Sequence, residues 1–146
     1  MGTERLYSTF YVNGAHYGVD ALDVQEVLRQ QPMTRVPLAT EDVRGLINLR
    51  GQVVIAIDLR RRLGLEPLGE DQASMNLVVR TEDGPVSLLV DRIGDVLRVE
   101  DEELEPTPET VSDAQRELLL GVLKLESGLL HVLDVTRATA PTAAVG

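Results

Sequence analysis

Two histidines and no cysteine leave this 146-residue chain little with which to bind a transition metal or run thiol chemistry. His16 follows a turn signal and His131 sits in an apolar run, far apart in sequence and without H-x-x-x-H or H-E-x-x-H spacing. A lone strand histidine most often serves as a hydrogen-bonded structural group. No glycine-rich phosphate loop occurs, and no serine lies in a G-x-S-x-G setting. The acidic run Glu100, Asp101, Glu102, Glu103 and Glu105 lacks the glycine-containing alternation of a calcium loop, so it reads as solvated. Arg60-Arg61-Arg62 is too short, in too acidic a chain, for a nucleic-acid patch. One arginine stands out. Asn48-Leu49-Arg50-Gly51 separates two apolar runs, Val43 to Ile47 and Val53 to Ile57, and reads as a hairpin turn. Gly51 supplies a positive φ, and a turn held between two strands would fix the Arg50 guanidinium for a planar, multi-donor contact. An ordinary solvated turn arginine fits the spacing too.

The elements that would position these residues follow in order. Thr9 to Val12 and Tyr17 to Val19 flank Asn13-Gly14, a strong hairpin pair. Val24 to Leu28 continues extended. Pro32 and Pro37 bracket Met33 to Val36, which suits an edge strand or extended crossing. Thr40 with Glu41 and Asp42 predicts a short capped helix to about Arg44. After the central hairpin, Asp58 caps a helix over Leu59 to Leu63 that Gly64 stops. Glu66 to Ser74 is a polar linker. A second hairpin follows, Leu77 to Arg80 and Val86 to Val90 about Asp83-Gly84, extended by Ile93 to Val99. Ser112 to Gln115 is a capping box for a helix to about Leu120. A last hairpin spans Val122 to Leu125 and Leu129 to Val135 about Ser127-Gly128, with Asp134 capping a final helical turn. The tail from Ala138 is expected to fray.

The order repeats. Gly45, Leu49, Asp58 and Arg61 recur as Gly121, Leu125, Asp134 and Arg137, all at the same spacing, and Val27-Leu28-Arg29 recurs as Val96-Leu97-Arg98 at a slightly shorter one. Many short strands with glycine turns and little helix predict small barrels, and two half-size units should share a core. The expectation is a mainly-β protein of two packed five-stranded barrels with a few short helices, forming one unit over 1–146. The first barrel is drawn mainly from 20–70 and the second mainly from 75–137, with terminal segments open to exchange and 138–146 as the tail. Where the first half has Arg50 the second has Glu126, a change of sign that a purely turn-shaping residue would not need.

Composition narrows the partners. The net charge is −10, from 24 acidic and 14 basic residues, which disfavours phosphate backbones and anionic lipid. Aromatics make up 3%, leaving little to stack on bases. No apolar run approaches the roughly 20 residues of a bilayer span, and Met1 to Phe10 has no signal-peptide h-region. A protein partner in the cytoplasm is expected, with no nucleic acid and no direct membrane insertion.

These residues resemble a known family, the CheW-like chemotaxis coupling proteins. The resemblance is carried by Val24-Gln25-Glu26-Val27, Thr34-Arg35-Val36-Pro37, Val43 through Gly51, Val53 to Ile57 and Asp58-Leu59-Arg60. In the second half Val90 to Leu97 and Leu120-Gly121 to Asp134 look like the family as well. The resemblance implies SH3-like barrels, no enzymatic activity and no cofactor. It implies an adaptor that joins chemoreceptors to the regulatory domain of the histidine kinase CheA, in arrays at the inner face of the membrane that also admit other CheW-like domains. It further implies that the receptor's helical tip docks in a groove between barrels that includes Val24, Gly45 and Arg50, with Glu26 pairing with Arg50. No kinase-contacting residue can be chosen. Within the family, a paralogue serving a surface-motility or second-messenger array stays open; outside it, a small-molecule-binding barrel pair does.

Overall fold

The computed structural model describes residues 4–67, 74–100 and 104–140. Among the described residues, ten strands form two five-stranded sheets, with short helical turns after some of the strands. In chain order the strands are β1 (Glu4–Val12), β2 (Ala15–Asp20), β3 (Val24–Arg29), β4 (Val43–Leu49), β5 (Gln52–Asp58), β6 (Met75–Thr81), β7 (Gly84–Val90), β8 (Arg92–Glu100), β9 (Leu119–Leu125) and β10 (Gly128–Leu133). The helices are α1 (Leu59–Arg62), α2 (Asp113–Arg116) and α3 (Val135–Thr139), with a 3-10 turn at Ala21–Asp23. The mainly-β architecture of two five-stranded units is the one expected.

Sheet membership does not follow the expected division near residue 70. One sheet runs β3-β6-β7-β5-β4 and the other β8-β1-β2-β10-β9. The hairpin β6–β7, placed by sequence in the second barrel, belongs with β3, β4 and β5. The N-terminal hairpin β1–β2 belongs with β8, β9 and β10. The two repeats have thus exchanged their leading hairpins. Each exchanged hairpin joins its sheet through one antiparallel pair (β6 with β3, β1 with β8) and one parallel pair (β7 with β5, β2 with β10). Alternating patterns fix which face a strand buries but not which neighbour it pairs with, so the repeat pattern fits either arrangement.

The exchange builds the shared core. Phe10, Tyr17, Val19, Ile57, Leu59, Leu63, Leu77, Leu88 and Leu133 pack as one buried cluster drawn from both sheets. Each sheet also encloses a smaller cluster, with Ile47, Leu49, Val54 and Val78 in the first and Tyr7, Leu123, Leu130 and Val132 in the second. The repeat symmetry reaches the backbone. Thr34 and Leu46 exchange two hydrogen bonds of 2.8 Å, and so do Glu105 and Val122. Asp58 accepts from the amides of Arg60 and Arg61 at the start of α1, and Asp134 from that of Arg137 in α3. Both caps are those the sequence predicts.

Three local expectations need correction. Thr40 to Arg44 is not a helix: the Val43 amide bonds to Thr40 O at 3.0 Å, closing a single turn, and β4 begins at Val43. One capped turn does not repay helix nucleation when the ladder with β5 is available. The helix after Ser112 ends at Arg116, because Leu119 is already paired in β9. Ala138 is not frayed; it lies in α3 and is fully buried in the shared core. Most of the expected linker, and Asp101 to Glu103 of the acidic run, lie outside the described residues.

Candidate functional site

The Asn48–Gly51 turn is built as its residues dictate. Asn48 Oδ1 accepts from the Gly51 amide at 2.9 Å, fixing the corner. The two loop residues, Arg50 at φ +54° and Gly51 at φ +85°, both lie in the left-handed region, as a type I′ hairpin requires. Arg50 therefore carries backbone strain that glycine or asparagine would largely avoid, of about 1 kcal/mol. Its repeat counterpart Glu126 has no positive φ.

The strained turn aims the guanidinium at one carboxylate. Arg50 Nη1 donates to Glu26 Oε2 at 3.0 Å and Nη2 donates to Oε1 at 3.2 Å. This is the bidentate fork for which arginine geometry is suited. Glu26 is on β3, at the opposite edge of the sheet from β4, so the pair spans the two edges and requires the sheet to curl. Glu26 shares its half-buried face with Leu28 and is only 15% exposed, whereas Arg50 is 79% exposed. An ion pair this open adds about 0–1 kcal/mol to stability. What it fixes is the position of a cation on the surface.

The structure brings together two of the four expected site residues. Val24 lies on the same strand but, across a shift in register, on the other face from Glu26: it pairs with Val79 and is half-buried against the shared core, whereas Glu26 pairs with Val78 of the first sheet's own cluster. Gly45 is elsewhere, on β4 beneath the chain crossing: a Cβ there would come within 2.6 Å of Thr34 O. Between the sheets lie two cavities on either side of the β6–β7 turn. One, of about 460 Å³, is walled by Val53, Ile55, Pro85, Val86, Val135 and Thr139. The other, of about 510 Å³, is walled by Tyr7, Asp23, Leu120, Val132 and Thr136 among others. None of the four expected residues lines either cavity. Val53 and Ile55, 66% and 46% exposed, were not singled out from sequence. The signal was present: the apolar run Val53–Ile57 does not alternate, so one apolar face had to point away from the barrel interior.

The two histidines, distant in sequence, meet where β2 pairs with β10. His131 Nδ1 lies 2.9 Å from the carbonyl oxygen of His16, to which it donates as the Nδ1–H tautomer. The His16 ring stacks on Tyr11 at 4.6 Å, and its Nε2 is buried without a partner. Burial, then the neighbouring His131, holds the His16 pKa below its usual 6.5, against a weaker pull upward from Asp95. The folded state thus binds fewer protons than the unfolded state, and stability falls as pH drops through 6.5 toward the depressed folded value. Thermal unfolding from pH 7.5 to 5.5 should show a falling midpoint, and His16→Gln should flatten that slope; an unchanged slope would remove His16 as its source.

Two repeat-related, five-stranded sheets, a common core and an arginine anchored at a strained turn define a β-scaffold of the SH3-like, two-unit kind. The comparisons specify which. The CheW-like domain family matches residues 7–140. The chain is 32% identical over 132 residues to a probable chemotaxis protein CheW of Rhizobium etli, covering 90% of this chain and 85% of that protein. It is 34% identical over 125 residues to the chemotaxis protein CheW of Bacillus subtilis, covering 86% and 80%. The crystal structure of the scaffolding protein TtCheW from Thermoanaerobacter tengcongensis superposes with a TM-score of 0.80 at 26% identity, over 90% of each chain. The chain belongs to the CheW-like family of chemotaxis scaffold proteins. Among the described residues, no helix is long and apolar enough to cross a membrane.

Proposed function

We propose that this chain is a non-catalytic cytoplasmic adaptor that couples the cytoplasmic tip of methyl-accepting chemoreceptors to the regulatory domain of the histidine kinase CheA, within arrays at the inner face of the membrane. The observation that carries this reading is the Glu26–Arg50 fork. A surface cation is held at a strained backbone position by a bond that adds little stability, and such strain is a mark of functional sites. Val24, Glu26, Gly45 and Arg50 are the proposed receptor-contacting region, with Gly45 acting by keeping β4 in place. The apolar walls at Val53 and Ile55 adjoin the same hairpin and offer a helix an apolar face.

The test is binding of the full chain to a receptor cytoplasmic fragment and to the kinase regulatory domain, separately and together. Wild type should bind both. Arg50→Glu sets a carboxylate against Glu26 and should weaken receptor binding by at least about tenfold, with kinase binding and the unfolding midpoint little changed. Receptor binding that survives in a folded Arg50→Glu protein would remove Arg50 from the site, and binding of wild type to neither partner would remove the adaptor reading.

A further inference from the structure

Strand β3 departs from its ladder at one place. Val24 pairs with Val79 but Glu26 pairs with Val78, so Gln25 is an extra residue, a β-bulge between the two proposed site residues. A bulge interrupts ladder bonding and re-aims the side chains on either side of it. Here one side chain holds the backbone that leads into the interruption. Arg80 of β6 sends Nη1 across to β3, where it donates to Val24 O at 2.8 Å and to Leu22 O at 2.9 Å. Leu22, in the 3-10 turn that Asp20 caps, is 83% exposed. Arg80 also lines both inter-sheet cavities, standing where they meet at the β6–β7 turn.

We propose that Arg80 is a positioning residue for partner binding: it clamps the backbone leading into the bulge so that Val24 and the exposed Leu22 hold the geometry the receptor tip meets. The inference rests on the adaptor reading. Leu22 becomes a further contact, an apolar side chain kept in water by a turn with two independent anchors, the Asp20 cap and the Arg80 clamp. The role differs from that of Arg50. Arg50 offers its own charge to the surface, whereas Arg80 acts through the backbone it holds.

Wild type, Arg80→Met and Arg80→Lys, each as the full chain, are compared in three readouts. Amide hydrogen exchange without any partner should quicken in Arg80→Met at residues 21–25 and nowhere in the shared core. Affinity for the receptor cytoplasmic fragment should fall about tenfold in Arg80→Met, the scale of losing charge-assisted bonds, and recover in part in Arg80→Lys, whose ammonium still donates. Affinity for the kinase regulatory domain should stay within about twofold, which separates a local clamp from general unfolding. Unchanged exchange at residues 21–25 would overturn the clamp. Full receptor affinity in a loosened Arg80→Met protein would confine Arg80 to the fold and leave the adaptor reading intact. Failure of wild type to bind the fragment would sink the adaptor reading and this inference together, and the wild-type arm alone reveals it.

Discussion

Alanine at Gly121 is expected to destabilise the fold by about 3 kcal/mol, and alanine at Gly45 by a similar amount, lowering the thermal midpoint by roughly 10 °C in each case. The two positions are repeat equivalents, and both sit beneath a crossing of the chain. A Cβ at Gly45 would stand 2.6 Å from Thr34 O, and one at Gly121 would stand 2.5 Å from Glu105 O. Neither obstacle is a flexible side-chain end. Each is a backbone carbonyl that accepts a 2.8 Å bond from the strand beneath it, and its residue's own amide donates a second. To admit the methyl group the crossing must back away and stretch both bonds, each contributing about 1 kcal/mol. Urea unfolding of the two variants measures the cost. Near-equal losses at Gly45 and Gly121 would assign Gly45 to the scaffold on which the Arg50 hairpin stands. A Gly45→Ala protein of wild-type stability that fails to bind a receptor fragment would instead make Gly45 a contact residue.

What the sequence discloses and what it hides divide along the range of the interaction. The Asn13-Gly14 turn, the Asp58 and Asp134 caps and the Ser112 cap were readable because each is decided by residues within four positions of one another. The repeat was readable because it preserves Gly45 and Gly121, whose crowding only the smallest residue tolerates. Exchange of the terminal segments was left open by the sequence, but the passage of β6–β7 into the first sheet was not readable. Strands β1–β2 and β6–β7 carry compatible apolar patterns, and only packing of the shared core settles which sheet receives each. The Glu26–Arg50 fork joins residues whose proximity depends on sheet curl, so family resemblance suggested it where spacing alone could not. The positive φ of Arg50 ran against propensity, since asparagine or glycine is the usual occupant. The contact between His16 and His131 is a product of the exchange itself: it exists because β2 pairs with β10 of the other repeat.

Asp91→Ala should be among the costliest substitutions in the chain, at about 3 kcal/mol or more. Asp91 stands where the chain leaves β7 of one sheet for β8 of the other, and three parts of the fold converge on it. Arg60 of α1 grips both carboxylate oxygens, with Nε donating to Oδ1 at 2.8 Å and Nη2 to Oδ2. The Asn13 amide in the β1–β2 turn donates to Oδ2 at 2.7 Å, and the Asp91 amide donates to Tyr11 O at 3.0 Å. Truncation to alanine strips the acceptor from a guanidinium that is only 15% exposed and from the Asn13 amide, and neither finds a substitute in place. Asp91→Asn keeps the shape and one acceptor and should cost appreciably less. The double variant Arg60→Met with Asp91→Leu should recover much of the loss, because the penalty comes from an orphaned partner more than from the pair itself. Burial pushes the Asp91 carboxyl up, but the Arg60 bonds, the Asn13 amide and the Arg60 charge outweigh it and hold the pKa below the ordinary 3.8. The folded state then binds fewer protons than the unfolded one near that value. The stabilisation is complete above about pH 4 and is lost as pH falls through the folded pKa. Urea midpoints between pH 5 and pH 2.5 should decline more steeply for wild type than for Asp91→Asn; parallel declines would show that the tie does not titrate as part of the fold. Because the same carboxylate fixes α1 of one sheet to the leading hairpin of the other, its loss should also loosen how the two sheets sit together.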